Sequence, residues 1–238
     1  MTAASHILAT CMGFNRARDP WQPSPVFRYA FELAGNLTKP KVCFIPTASD
    51  DDTASIESFY AAFADTDVET SHLALSADDR PRDLARFLGE KTLVWVDRGN
   101  VAKALEVWRE HGLDQVLRDC YEHGVILGGE SAGSLCWFAG GVTDSFGEVQ
   151  AHRDGLGLLP YSNAVHYGDR RQVFEGAMRA GELPSEGYAM DTGAGLHFQG
   201  HELVRAISDR KHAGAYRVTA NGSDVHEEPL DVTRLKRS

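Results

Sequence analysis

Apolar residues follow two alternating rhythms along the first half of the chain. Short unbroken runs, such as residues 92–96 (TLVWV) and 124–127 (GVIL), suit strands buried on both faces. Further strands are expected at 6–11, 42–45 and, more weakly, 68–73. Between them lie segments with helical spacing. In 25–35, Val26, Tyr29, Ala30 and Leu33 share one face; in 53–64, Ile56, Phe59, Tyr60 and Phe63 form one stripe. Shorter helices are expected at 82–88, 101–109 and 113–123, the last two split by Gly112. Strands alternating with helices predict an α/β fold with a mostly parallel sheet covered by helices.

The rhythm changes after Gly140. Glycine and proline become dense (GLGLLP at 155–160), and one helix follows at 171–180. Strand-like runs at 188–191, 196–198, 202–206 and 215–218 predict a late, partly antiparallel β region. From about residue 221 the tail is polar and is expected to fray. With no repeat, linker or low-complexity segment, residues 1–238 read as a single domain.

Composition narrows the function. Lys and Arg number 24 against 34 Asp and Glu, a formal charge of −10, which argues against a nucleic acid as the main partner. No run approaches the ~20 apolar residues of a membrane span, and the opening MTAASHILATCMGF has no basic region ahead of a long apolar run. A cytoplasmic protein is therefore expected. Cys11, Cys43, Cys120 and Cys136 are scattered, with no CxxC, zinc spacing or HExxH, so free buried thiols and neither metal nor cofactor are expected.

The stretch from Gly124 to Gly141 carries the chemistry. It contains Gly129-Glu130-Ser131-Ala132-Gly133, a GxSxG pattern, directly after a buried strand and before an amphipathic segment at 134–138. That strand–turn–helix context is what a nucleophile elbow requires: a sharp turn presents the serine hydroxyl, and the helix N-terminus offers backbone N–H groups to an oxyanion. A glycine-rich turn without chemistry would share the pattern. A base must accompany the serine. Of ten histidines, His166 ends the run NAVHY at 163–167, where a sheet presents functional side chains beside a loop.

Several ordered blocks resemble peptidase family S51, the aspartyl dipeptidases (peptidase E) and the related cyanophycinases. They are Phe44-Ile45-Pro46-Thr47-Ala48-Ser49, Gly99-Asn100 at the end of the family's GGGNT, residues 108–114, the block at 128–137, and residues 155–160 leading to His166-Tyr167. The resemblance implies a three-layer α/β/α sandwich of the class I glutamine amidotransferase (flavodoxin-like) type. It implies a serine peptidase acting on small acidic peptides of the Asp-Xaa type through an acyl-enzyme. Ser131 would be the nucleophile and His166 the base, with the backbone N–H groups of Gly99 and Ala132 as oxyanion donors. Asn100, Arg170 and Arg171 fall where the family binds substrate. A small peptide is thus the expected partner, and a homodimer stays open.

Three departures from the family pattern bear on activity. Relatives place the acid of the triad about a dozen residues after the serine, where Asp144 stands, or after the histidine, where the chain reads Met190-Asp191-Thr192 with Thr192 at a glutamate position. Asp191, Asp144 or no carboxylate at all would then orient His166, with Asp191 favoured. Two glycines of GGGNT have become Asp97-Arg98, which would crowd the oxyanion hole or point away from it. Glu130, if buried, would add negative potential that disfavours an oxyanion and an acidic substrate. The competing readings are a diverged homologue with another amide or ester substrate, and a catalytically weak protein that binds a peptide or metabolite.

Overall fold

The structure, a computed structural model, describes residues 4–236. The apolar runs of the first half form strands β1 (His6–Thr10), β4 (Lys41–Ile45), β5 (Glu69–His72), β6 (Leu93–Val96) and β7 (Ile126–Glu130). They lie parallel in the spatial order β1-β7-β6-β4-β5. A two-stranded ribbon, β2 (Phe14–Asn15) with β3 (Gln22–Pro23), sits in the loop after β1. Alternate residues of the central strands enter two different cores. Leu8, Phe44, Leu93, Trp95 and Ile126 pack with Val26, Phe27 and Ala30 of α1 (Pro25–Leu33) and with Phe59 and Phe63 of α2 (Thr53–Phe63). Ile7, Ile45, Val94, Val96 and Leu127 pack on the opposite face. Their partners come from α3 (Leu84–Gly89), α4 (Val101–Glu110) and α5 (Leu113–Glu122). This period-two partition builds a three-layer α/β/α sandwich and explains why the strands read as unbroken apolar runs. Helix starts follow local chemistry: Pro25 opens α1, and the side chains of Asp52, Asp83 and Asn100 cap α2, α3 and α4.

After the four-residue helix α6 (Ala132–Leu135) the chain builds a second sheet. Its strands are β8 (Phe138–Phe146), β9 (Glu148–His152), β10 (Leu159–Val165), β11 (Glu186–Met190), β14 (Ala215–Asn221) and β15 (Asp224–Pro229). Helix α7 (Tyr167–Arg179) covers it, with Phe174 and Met178 packed among Val142, Ala164, Ala189 and Val218. The main sheet is completed by β12 (Ala194–Gln199), antiparallel to β1, then β13 (Glu202–Ser208) and β16 (Val232–Arg234).

Three expectations need correction. The tail does not fray within the described residues. β15 pairs with β14 over six residue pairs and β16 joins β13, because backbone bonds hold polar edge strands that apolar content would not reveal. Helix α7 begins at Tyr167 rather than 171, since buried Tyr167 and Arg170 anchor its first turn despite Gly168. The amphipathic segment at 134–138 is mostly not helix: α6 ends at Leu135 and Phe138 already starts β8. All four cysteines are buried and unpaired. No helix of the described residues is long and apolar enough to cross a membrane.

Candidate active site

Strand β7 runs straight into Ser131, whose φ of 57° and ψ of −103° lie outside the regions a non-glycine residue prefers. Packing enforces the bend. The Ser131 N–H donates to the Thr10 carbonyl on β1 at 2.8 Å, and the Thr10 hydroxyl donates to the Gly129 carbonyl at 2.9 Å. Gly133 lies against the Val96 carbonyl of β6, where any Cβ would collide with backbone. Strained backbone of this kind persists only where its surroundings over-determine it.

His166 follows β10 with a left-handed φ of 54°, at the position preceding α7. Its Nε2 lies 3.1 Å from Ser131 Oγ. A buried polar bridge joins the two supports. The Ser134 hydroxyl donates to Asn163 Oδ1 at 3.2 Å, and Asn163 Nδ2 donates to the Tyr188 carbonyl at 2.9 Å. Ser134 stands three residues after Ser131 and Asn163 three before His166, so this bridge fixes one sheet's elbow against the other sheet's histidine.

The other ring nitrogen of His166, Nδ1, is 2.7 Å from Thr192 Oγ1. The expected acids are engaged elsewhere. Asp191 accepts from the Gly214 N–H at 2.9 Å and the Tyr216 hydroxyl at 3.4 Å. Asp144 pairs with Arg170 at 3.0 Å. Thr192 therefore stands where Asp191 or Asp144 was expected, and no carboxylate among the described residues bonds to the ring. Burial is the main cause that lowers the His166 pKa below its ordinary 6.5; Arg170 and Arg98 push the same way, against Asp144 and Asp169. The imidazole is therefore neutral at neutral pH, with an acceptor nitrogen free to take a proton from a hydroxyl.

The loop after β6 is settled in an unexpected way. Asp97 is fully buried; it is paired with Arg16 and accepts from the Ser49 hydroxyl at 3.0 Å. Arg16 also approaches Glu130 Oε2 at 3.4 Å and stacks on Trp21. Asp97 thus neither crowds the site nor faces solvent. Arg98 turns into the cleft instead. At Gly99, φ is 137° and a Cβ would strike the Ala48 carbonyl, so glycine is required there. The N–H groups of Gly99 and Ala132 donate to no acceptor among the described residues.

The residues expected to bind substrate are placed differently. Asn100 caps α4, accepting from the Lys103 N–H at 2.9 Å and donating to the Ser145 carbonyl at 3.0 Å. Arg170 is buried between Asp144 and the Val142 carbonyl. Arg171 pairs with Glu175 and Glu227 across α7 and β15. None of the three lines the cleft. That cleft, of about 720 Å³, brings Ser131, His166 and Thr192 together with Arg16, Arg98, Glu130 and Arg210. Arg16 and Arg210 carried no local signal in the sequence. Arg16 reaches Glu130 because β1 and β7 pair with Thr10 opposite Glu130, and the Arg210 side chain lies against Gly193, next to Thr192.

The model of Peptidase family S51 matches residues 19–206. The chain belongs to peptidase family S51. An uncharacterized peptidase of Bacillus subtilis (strain 168), YgaJ, is 40% identical over 200 residues, spanning 83% of this chain and 86% of that protein. Two solved structures share the fold. One is a candidate peptidase E protein from Listeria monocytogenes EGD-e, at 19% identity and a TM-score of 0.61, covering 85% of this chain and 98% of that one. The other is a peptidase from an acI-B1 actinobacterium, at 14% identity and a TM-score of 0.63, covering 95% of each chain. The S51 chain accordingly has the flavodoxin-like α/β fold of peptidase E-like proteins.

Proposed function

We propose that this S51 member is a serine peptidase of small acidic peptides, with Ser131 as nucleophile and His166 as general base. The observation that carries the reading is the contact of Ser131 Oγ, on a strained strand-to-helix turn, with His166 Nε2. His166 takes the hydroxyl proton as Ser131 attacks the scissile carbonyl. It then returns that proton to the departing amine, leaving an acyl-enzyme that water hydrolyses. The N–H groups of Ala132 and Gly99 are the donors available to the oxyanion. Nδ1–H donates to Thr192 Oγ1 throughout, which keeps the acceptor on Nε2.

Preference for an acidic residue rests on the cleft cations. Arg98 makes no ion pair among the described residues, and Arg210 makes only a 3.9 Å approach to Asp209. Either guanidinium suits a carboxylate side chain. One observation favours a second reading, a peptidase with a different amide substrate: Arg170 and Arg171 are committed to ion pairs inside the fold.

A panel of Asp-Xaa and neutral Xaa-Xaa dipeptides, followed by amine release, decides between them. Turnover confined to Asp-Xaa, absent in Ser131→Ala and weakened in Arg98→Ala or Arg210→Ala, supports the acidic reading. Turnover of neutral dipeptides supports the second, and no turnover of any peptide by folded protein overturns both.

A further inference from the structure

One cation and two carboxylates meet on the cleft floor beside Ser131. Arg16 is paired with Asp97, whose other oxygen accepts from Ser49, so Asp97 is satisfied at both oxygens. Glu130 receives only a long contact, Arg16 to Oε2 at 3.4 Å; its Oε1 has no hydrogen-bond partner among the described residues. The Glu130 side chain is 13% exposed and lines the same cleft as Ser131. The group therefore holds a surplus negative charge with one open acceptor oxygen, on the residue directly before Ser131.

We infer that Glu130 receives the α-ammonium of the substrate's first residue and so directs Ser131 to the first peptide bond of chains with a free amino terminus. This rests on the reading of Ser131 as nucleophile. The chemistry fits in three respects. The α-ammonium lies two bonds from the carbonyl carbon that Ser131 attacks, as Glu130 adjoins Ser131. A carboxylate with an open oxygen in a poorly solvated site gains a charge-assisted bond from an N–H⁺ donor. An N-acylated terminus brings bulk and no charge, and would desolvate Glu130 without compensation. Burial, reinforced by Asp97 and opposed by Arg16 and Arg98, raises the Glu130 pKa; an arriving ammonium stabilises the ionised form. The negative potential expected to repel an acidic substrate then serves its other end, while Arg98 and Arg210 serve the acidic side chain.

The test compares an Asp-Xaa dipeptide with its N-acetyl form and with the succinyl analogue that lacks only the amine. Three proteins are used: wild type, Glu130→Gln and the charge-retaining Glu130→Asp. Kinetics are read in wild type, and equilibrium binding by calorimetry in a Ser131→Ala background. Losing a buried charged partner should cost about 30- to 5,000-fold. Glu130→Gln should lose about that factor for the free amine, chiefly in KM, and change by under about threefold for the succinyl analogue. Glu130→Asp should keep the preference. Equal losses on all substrates would make Glu130 a mere support of Arg16 and overturn the inference. Hydrolysis of the N-acetyl form as fast as the free dipeptide overturns it too, while leaving Ser131 as nucleophile. Amine-selective binding without hydrolysis by wild type overturns the nucleophile and keeps the Glu130 site. The Ser131→Ala binding data hold even if a Glu130 variant fails to fold.

Discussion

Replacing Thr192 by aspartate writes a charge into the one contact where this site lacks it. Thr192 Oγ1 sits 2.7 Å from His166 Nδ1, and the aspartate carboxylate branches from the same carbon as that hydroxyl. In the proposed mechanism His166 gains a positive charge as Ser131 is deprotonated; Thr192 can orient the ring but cannot compensate that charge. An opposite charge at contact range raises a histidine pKa by about 1–3 units, and each unit corresponds to about 1.36 kcal/mol. In the wild type burial lowers the His166 pKa below 6.5, so the acid limb of kcat/KM should fall below that value. A base works only when neutral, so raising its pKa moves the limb to higher pH. Thr192→Asp should therefore shift the limb upward by about 1–3 pH units.

Thr192→Val supplies the complementary measurement. It removes one hydrogen bond with a net worth of about 0.5–1.5 kcal/mol, so kcat should fall about two- to thirteenfold, with little movement of the limb. The assay is dipeptide hydrolysis from about pH 5 to 9, with circular dichroism at each pH to exclude unfolding. An unmoved limb in an active Thr192→Asp enzyme would refute His166 as the titrating base. A loss near 10⁴ in Thr192→Val would refute a purely orienting role, since that is the scale of an imidazole held in the wrong tautomer.

Further outcomes follow from the same geometry. Asn163→Ala strands the buried Ser134 hydroxyl and Tyr188 carbonyl; urea titration should show a loss of about 1–3 kcal/mol, and kcat should fall more than KM rises as the Ser131–His166 contact loosens. Gly99→Ala must displace the Ala48 carbonyl or abandon a φ of 137°; a stability loss of about 1–3 kcal/mol with a kcat loss approaching 10²–10³ is expected, and wild-type kcat would exclude Gly99 from the oxyanion contact. His197, bonded to His6 and Tyr29, is lowered to about 4 by burial and then by His6 and Arg205. Its contribution is whole above pH 6.5 and is lost as pH falls toward 4. His197→Gln should therefore flatten the decline of stability between those values by about 3 kcal/mol, the share expected of His197.

What was legible in the sequence divides along a physical line. The parallel sheet was readable because each central strand feeds both cores, so Val94 and Trp95 are apolar for opposite faces and the run has no polar gap. The elbow was readable because its cause is local: strand, glycine, serine and helix N-terminus occur within a dozen residues. The edge strand at Asp224–Pro229 was not, since its backbone bonds to β14 leave its side chains free to be polar. Arg170 and Arg171 follow His166 closely in sequence, yet helix rotation turns one toward Asp144 and the other toward Glu227. Arg16 and Glu130, 114 residues apart, meet only because β1 and β7 pair in one register.

The choice between Asp191 and Thr192 is the sharpest case. The chain turns at once after β11, the Ala194 N–H donating to the Asp191 carbonyl at 2.9 Å, so the adjacent side chains of Asp191 and Thr192 face different neighbours. β11 ends at Met190, and the next side chain, Asp191, turns toward Gly214 and Tyr216 at the start of β14, while Thr192 turns toward His166. The family resemblance put an acid in this block, and with Thr192 at the glutamate position it favoured the neighbouring carboxylate, Asp191. Geometry favours the hydroxyl, and gives Asp191 the separate task of tying the loop before β14 to the end of β11. In the proposed mechanism Ser131 is served by an imidazole that is oriented but not charge-compensated. Its rate should then lean on the N–H groups of Gly99 and Ala132 more than in a site with an acid. Gly99→Ala should accordingly cost this peptidase more in the Thr192 background than in Thr192→Asp, and equal costs would show the two contributions to be independent.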